Sequence, residues 1–373
     1  MTSFPPDGPP PPPGVPPQTP TWNAPRGYPT AAAPARESRG VAFFVAIFLG
    51  ILLVASAGLN VLLLLLSIGS IAGAGGVASD DGGLYDEVHV AGERTSPTKV
   101  LQVPIHGAIA ESQSALMGAS GGSVTQVRRA LRYAESEKVA GLLLHVDSPG
   151  GGVSDSDEIY RMLLAFRREH PDVPIVALFG DMAASGGYYV AAAAERIVAH
   201  RTTITGSIGV IMNAWNFAEA AKKVGVDQVV IKSDRTPFKD ILSPMRPMRD
   251  DERRMLTGIV DELYDQFVSI VDEGRPAMDR AQVQAVATGA IYTATQALAN
   301  GLVDEIGDQS TVIDWFEKKL GKSVNLVERR RRAGLGDLLF GASAAPLSLE
   351  QSLGTMLTSS TGPRFLYFWQ GGR

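Results

Sequence analysis

The pattern of polar and apolar positions changes several times along the chain. Residues 1–40 carry proline in runs (PPDGPPPPPGVPPQTP, 5–20), a composition that favours extended polyproline conformations and cannot build a core. They are expected to form a disordered spacer tail. Residues 41–67 are almost continuously apolar, and no charged residue occurs between Gly40 and Ser79. At roughly 1.5 Å rise per residue this is about 40 Å of helix, enough to cross a bilayer with some tilt. Residues 68–98, glycine-rich at 71–83, read as a tether. From 99 to 320 short β-rich runs (KVLQVPI at 99–105, GLLLHV at 141–146, PIVALF at 174–179, QVVIK at 228–232) alternate with helical patterns at about 123–137 and 154–169. Capping boxes are predicted at Ser154/Asp157, Asp279/Gln282 and Thr293/Gln296, with Gly301 as a stop. Strands separated by helices predict an α/β domain with a mostly parallel sheet. Residues 321–373 form a C-terminal extension.

Charge orients the apolar segment. Arg26, Arg36 and Arg39 precede it and Asp80, Asp81, Asp86 and Glu87 follow, so the positive-inside rule puts the tail in the cytoplasm and everything after residue 80 outside it. A cleavable signal peptide is the rival, with ASA at 55–57 as its cleavage site, but the apolar run continues well past that point. The net charge of −5 and a pI near 5.6 argue against a nucleic-acid partner; the one dense basic run, ERRRRAG at 328–334, is short. Zero cysteines exclude disulfides, thiolate zinc sites, a cysteine nucleophile and a lipoprotein anchor. The five histidines, among them His145 in an apolar strand and His106 at a strand end, lack metal-ligand spacing. No metal or cofactor is expected.

Two glycine-bearing turns follow consecutive predicted strands: VDSPGGG at 146–152 and FGDMAASGG at 179–187. In a parallel sheet both emerge at the carboxyl ends of the strands, where α/β proteins build their sites. If Ser185 opens a helix, its hydroxyl lies at the positive end of the helix dipole and the Gly186 N–H is available to developing negative charge. A second donor comes from Gly150 or Gly151, where a missing side chain lets an oxyanion approach. On the residues alone, a plain N-cap serine beside a plain loop is the simpler reading. A GxSxG nucleophile elbow is absent, since Ala183 stands at the offset that motif gives to glycine.

Three motifs change the balance. VDSPGGGV, MAASGGYYVA and TGSIGVI (205–211), in this order and spacing, resemble the signal peptide peptidase A (protease IV) family of membrane-anchored serine peptidases. The resemblance covers about 99–320 and implies a fold similar to the Clp protease and crotonase superfamily. It further implies a serine with a lysine base in place of a Ser-His-Asp triad. The family's nucleophile falls on Ser185, its lysine on Lys239 in TPFKDILSP (236–244) and its lysine-orienting serine on Ser207, with Lys232 as the alternative base. A lysine base must be substantially neutral, which asks for desolvation. The implied substrates are cleaved signal peptides and other apolar, extended peptides at the membrane. The implied assembly is a homo-oligomer whose lysine can come from a neighbouring subunit. The alternatives are a non-catalytic peptide-binding scaffold, a peptidase for one specific membrane protein, and an acyl-CoA enzyme of the crotonase branch, the last disfavoured by a location away from the coenzyme A pool.

Overall fold

The computed structural model describes residues 39–74, 85–111, 122–331 and 365–368. The proline-rich tail up to residue 38 and residues 75–84 of the expected tether lie outside them. The chain divides into two compact units, Met1–Ser79 and Asp80–Arg373.

In the first unit, helix α1 runs Arg39–Ala74. Its stretch Phe43–Leu62 is long and apolar enough to cross a membrane, and none of it is buried against protein.

In the second unit the chain forms β1 (Tyr85–Gly92), β2 (Lys99–His106), α2 (Ser123–Glu137), β3 (Gly141–Ser148), β4 (Gly150–Gly152), α3 (Val153–Glu169), β5 (Ile175–Ala184), α4 (Gly186–Ala191) and β6 (Arg196–Ala199). There follow β7 (Ile204–Gly206), β8 (Ile211–Met212), α5 (Ala218–Lys223), α6 (Asp250–Gly274), α7 (Arg280–Val286), β9 (Ile291–Thr293), α8 (Ala294–Ala299), β10 (Glu305–Ile306), α9 (Gln309–Leu320), β11 (Asn325–Arg331) and β12 (Phe365–Phe368). The main sheet has the order β1-β11-β2-β3-β5-β6-β10, with β7 continuing beside β5 and β9 beside β7. Its centre is parallel; β1 on β11 and β9 on β7 are antiparallel. The expected α/β architecture is therefore present.

The two-residue period of a strand sorts the core into layers. Leu142, Leu144 and Val146 of β3 join Ala177 and Phe179 of β5 on the face covered by α2, α3 and α4, while Leu143, Val176 and Leu178 face Val312 and Phe316 of α9. Because both faces are covered, the strands read as apolar runs in place of an alternation.

The capping boxes at Asp279/Gln282 and Thr293/Gln296 form as expected, and Gly301, at φ +78°, ends the turn after α8. Three expectations are corrected. Ser154 does not cap α3: the helix starts one residue earlier, at Val153, with Gly152 as the cap residue. QVVIK (228–232) is not a strand: none of the strands among the described residues pairs with it, and Val229 and Ile231 are 84% and 95% exposed. The folded domain also extends past 99–320. Strand β1 lies within the stretch read as tether, and β11 lies within the C-terminal extension, where Arg329 and Arg330 stand opposite Glu87 and Asp86. The basic run is thus largely a cross-strand complement to an acidic strand.

Candidate active site

Strands β3 and β5 are parallel neighbours, and their pairing runs to Ser148↔Ala183, so the two glycine-bearing turns end side by side. Ser185 is the single residue between the end of β5 and the start of α4. It is 1% exposed, and its backbone sits at φ +54°, ψ −117°, a region that costs a side-chain-bearing residue about 1–3 kcal/mol. The surroundings hold it there. Its N–H donates to the Gly206 carbonyl (2.8 Å), and its own carbonyl accepts from the Tyr189 N–H (2.9 Å). Its hydroxyl makes no capping hydrogen bond to α4, so the plain N-cap reading does not describe it. The strand–turn–helix geometry is that of a nucleophile elbow, reached without the GxSxG sequence.

The glycines are required by space. A Cβ on Gly186 would lie 3.1 Å from the Gly151 nitrogen and 3.2 Å from the Gly150 Cα. Gly150 is at φ +98°, and a Cβ there would lie 2.6 Å from the Gly186 nitrogen. Gly150, Gly151 and Gly186 therefore meet at backbone contact, with the Gly186 N–H, first of its helix, lacking an intrahelical acceptor. The Ser148 hydroxyl fixes the turn by accepting from the Gly150 N–H (3.1 Å).

Ser207 stands beside Ser185. Strands β5 and β7 pair through Ala184↔Gly206, and each serine is the next residue, at φ +54° and φ +50°. At the parallel-strand spacing of about 4.8 Å the two are immediate neighbours. Ser207 is 7% exposed and lines a cavity of about 580 Å³ with Ile208, Ile211, Val260, Tyr264 and Phe368.

The two candidate lysines differ in their commitments. Lys239 is exposed, and among the described residues its ammonium has neither a hydrogen bond nor an ion pair; none joins it to Ser185 or Ser207. The Lys232 ammonium donates to the Pro237 carbonyl (2.8 Å) and is ion-paired with Asp240.

A feature the motifs did not announce lies over the glycines. Strand β12 inserts between β4 and β8, antiparallel to both, with Leu366↔Gly152, Tyr367↔Gly151, Phe368↔Gly150 and Leu366↔Ile211. The Tyr367 carbonyl oxygen and the Gly186 nitrogen lie 2.1 Å and 2.6 Å from where a Gly150 Cβ would sit. The Tyr367 ring, fully buried, stacks on Tyr189 (4.8 Å between centroids) and packs against Phe267 (4.8 Å), and its hydroxyl donates to the Leu263 carbonyl (3.1 Å). Tyr189 in turn donates to Asp157 (2.9 Å). Burial pushes the Tyr189 and Tyr367 hydroxyls well above the ordinary phenol range, so both stay neutral donors. The aromatic-rich apolar run PRFLYFW (363–369) was the available signal for a strand; its distant partner was not.

As for metals, Glu135, Glu169 and His170 bring ligand atoms within 4.8 Å of one another at the surface, with both carboxylates exposed. His106 and His145 contact each other (3.3 Å), and burial together with His106 pushes His145 below the usual imidazole range.

Residues 167–323 match the model of Peptidase family S49. The chain is 37% identical over 282 residues to a Synechocystis sp. protein named for protease activity, covering 72% of this chain and 96% of that one. It is 36% identical over 229 residues to an Enterococcus faecium protein named signal peptide peptidase SppA, covering 61% of this chain and 65% of that one. Among solved structures, a ClpP1 mutant from Listeria monocytogenes aligns with a TM-score of 0.37 and 14% identity, over 56% of this chain and 92% of its own. The protein is a serine peptidase. More narrowly, the chain belongs to peptidase family S49.

Proposed function

We propose that the protein is a membrane-anchored endopeptidase in which Ser185 attacks the peptide carbonyl and the neutral amine of Lys239 takes its proton. Ser207 orients that amine, and the N–H groups of Gly186 and of Gly150 or Gly151 bind the oxyanion. The lysine then returns the proton to the leaving amine, and a second cycle with water releases the acyl-enzyme. The observation that carries the reading is the position of β12: an extended apolar segment lies antiparallel to the glycine strand with the Tyr367 carbonyl packed against Gly150, a backbone pairing that an extended substrate can make.

Substrates are cleaved signal peptides and other apolar, extended peptides, which the site meets at the membrane surface. Burying the Tyr367 side chain is worth about 1.5–3 kcal/mol, whereas ordering four residues costs about 1–2 kcal/mol each. Ladder hydrogen bonds must supply the rest, and any extended peptide can make those. A competing peptide can therefore displace β12.

The N-terminal tail lies in the cytoplasm, α1 spans the membrane once and the catalytic domain lies outside the cytoplasm. The chain works as a homo-oligomer: the exposed apolar row Val224, Val229 and Ile231 supplies a contact surface, and the exposed Lys239 serves the Ser185 of a neighbouring copy. Digestion of a mixed signal-peptide library by the full chain in detergent, followed by mass spectrometry, tests the reading. Products are expected from the parent and none from Ser185→Ala; identical profiles from both reject it.

A further inference from the structure

Lys239 is the one residue of the segment Pro237–Asp240 whose polar side chain is uncommitted, while the groups on either side of it are fastened. The Pro237 carbonyl accepts from the Lys232 ammonium (2.8 Å) and from Arg249 Nη2 (3.1 Å). The Phe238 ring lies under the Arg249 guanidinium, 5.6 Å from its centroid. The Asp240 carboxylate pairs with Lys232 and with Arg246 Nε (2.9 Å), and the Asp240 carbonyl accepts from Arg246 Nη2 (2.9 Å).

These bonds converge on one anchor. Glu252 is fully buried and receives both terminal nitrogens of Arg246, the Arg249 N–H (3.0 Å) and Arg249 Nη2 (3.0 Å). It occupies the first turn of the 25-residue helix α6, where its charge also complements the helix dipole. A bidentate arginine–carboxylate pair fixes orientation as well as distance.

We infer that the Asp240–Arg246–Glu252 ion-pair hub is the positioning device for the catalytic lysine, holding the backbone on both sides of Lys239 while engaging the nearby carboxylates with other cations. This rests on the reading of Lys239 as the base. The chemistry explains the division of labour. A carboxylate beside a lysine favours its charged form, which cannot accept a proton from serine. Here Asp240 is taken by Lys232 and Arg246, Glu252 by Arg246 and Arg249, and Asp251 by Arg249 (3.1 Å). Asp240, Asp251 and Glu252 are thereby each matched to a cation other than Lys239. Arg246, Asp240 and Glu252 are positioning residues; none needs to touch substrate.

The test uses the full chain in detergent and an internally quenched peptide of the chain's own sequence RFLYFW, with four variants: Arg246→Met, Arg246→Lys, Asp240→Asn and Lys239→Ala. For Arg246→Met, kcat is expected to fall about 100-fold, the cost of misplacing a catalytic group by an ångström, with KM within about twofold. For Asp240→Asn the ascending limb of the pH–rate profile, which reports loss of the proton from the lysine base, is expected to move, since Lys232 loses its partner and the loop its restraint. Arg246→Lys is expected to recover part of kcat, because a point charge reaches one carboxylate where the guanidinium reaches two. Arg246→Met and Asp240→Asn enzymes that melt earlier yet keep the parental kcat and pH profile overturn the inference. If Arg246→Met does not fold, Asp240→Asn decides alone on the same two readouts. Full activity in Lys239→Ala rejects the lysine assignment itself; an inactive Lys239→Ala beside unaffected hub variants rejects only the positioning role.

Discussion

The serine side of the site and the lysine side are constructed in opposite ways. Ser185 and Ser207 are buried, strained and fixed by backbone bonds to adjacent strands of the central sheet. Lys239 is exposed, on a segment outside the sheet, and that segment is held by charged side chains anchored on one buried carboxylate. Strain can be stored only where the surroundings over-determine the backbone. On the proposed reading, in which Lys239 serves a neighbouring copy, the half-site has to stay accessible, and directional ion pairs give it shape without burying it.

The largest expected effects break one half at a time. Ser185→Ala and Lys239→Ala should each lower kcat/KM by at least about 10³-fold, as loss of a member of a nucleophile–base pair does; product formation by mass spectrometry is the measurement. Gly150→Ala places a Cβ 2.1 Å from the Tyr367 carbonyl and 2.6 Å from the Gly186 nitrogen, at a φ that alanine rarely adopts. Activity should fall about 10²–10³-fold through the lost donor geometry.

A smaller effect sharpens the contrast. Ser185→Gly should be as inactive as Ser185→Ala yet unfold later, by about 1 kcal/mol in urea titration, because glycine relieves the positive φ. No such gain is expected from glycine at Lys239. Tyr367→Ala should loosen β12 and lower KM for an added apolar peptide severalfold, through loss of the ring's burial.

The smallest effect is acid sensitivity of the hub. Hydrogen bonds from Arg246 hold the Glu252 carboxyl down to about 2, from an ordinary 4.5. With the folded value below the unfolded one, its contribution is complete above about pH 4.5 and disappears as pH falls through 2. Amide exchange in residues 236–248 should accelerate across that window while β5 remains protected.

What was legible in the sequence follows the same division. The paired glycine turns put Ser185 at the carboxyl ends of adjacent strands because an apolar run, a small-residue turn and a helix start are local signals; its expected role, like that of Ser207, entered through the motifs that resemble a family. Two things were hidden. The β-branched residues of QVVIK could not reveal that no strand among the described residues pairs with it, and nothing near Gly150 indicated that Tyr367, more than two hundred positions later, would lie across it. Capping failed at Ser154 because Gly152, held at its N–H by the Ile109 carbonyl, turns the chain into α3 one residue sooner.

The position of β11 has a consequence for biogenesis. This strand, near the end of the domain, is inserted between β1 and β2, the first two to be made, with Asn325 facing Lys99 on one side and Gly92 on the other. The sheet therefore cannot close until residues 325–331 have left the ribosome, so a nascent chain halted earlier carries an open edge at β2, and its peptidase domain matures only after β11 has emerged.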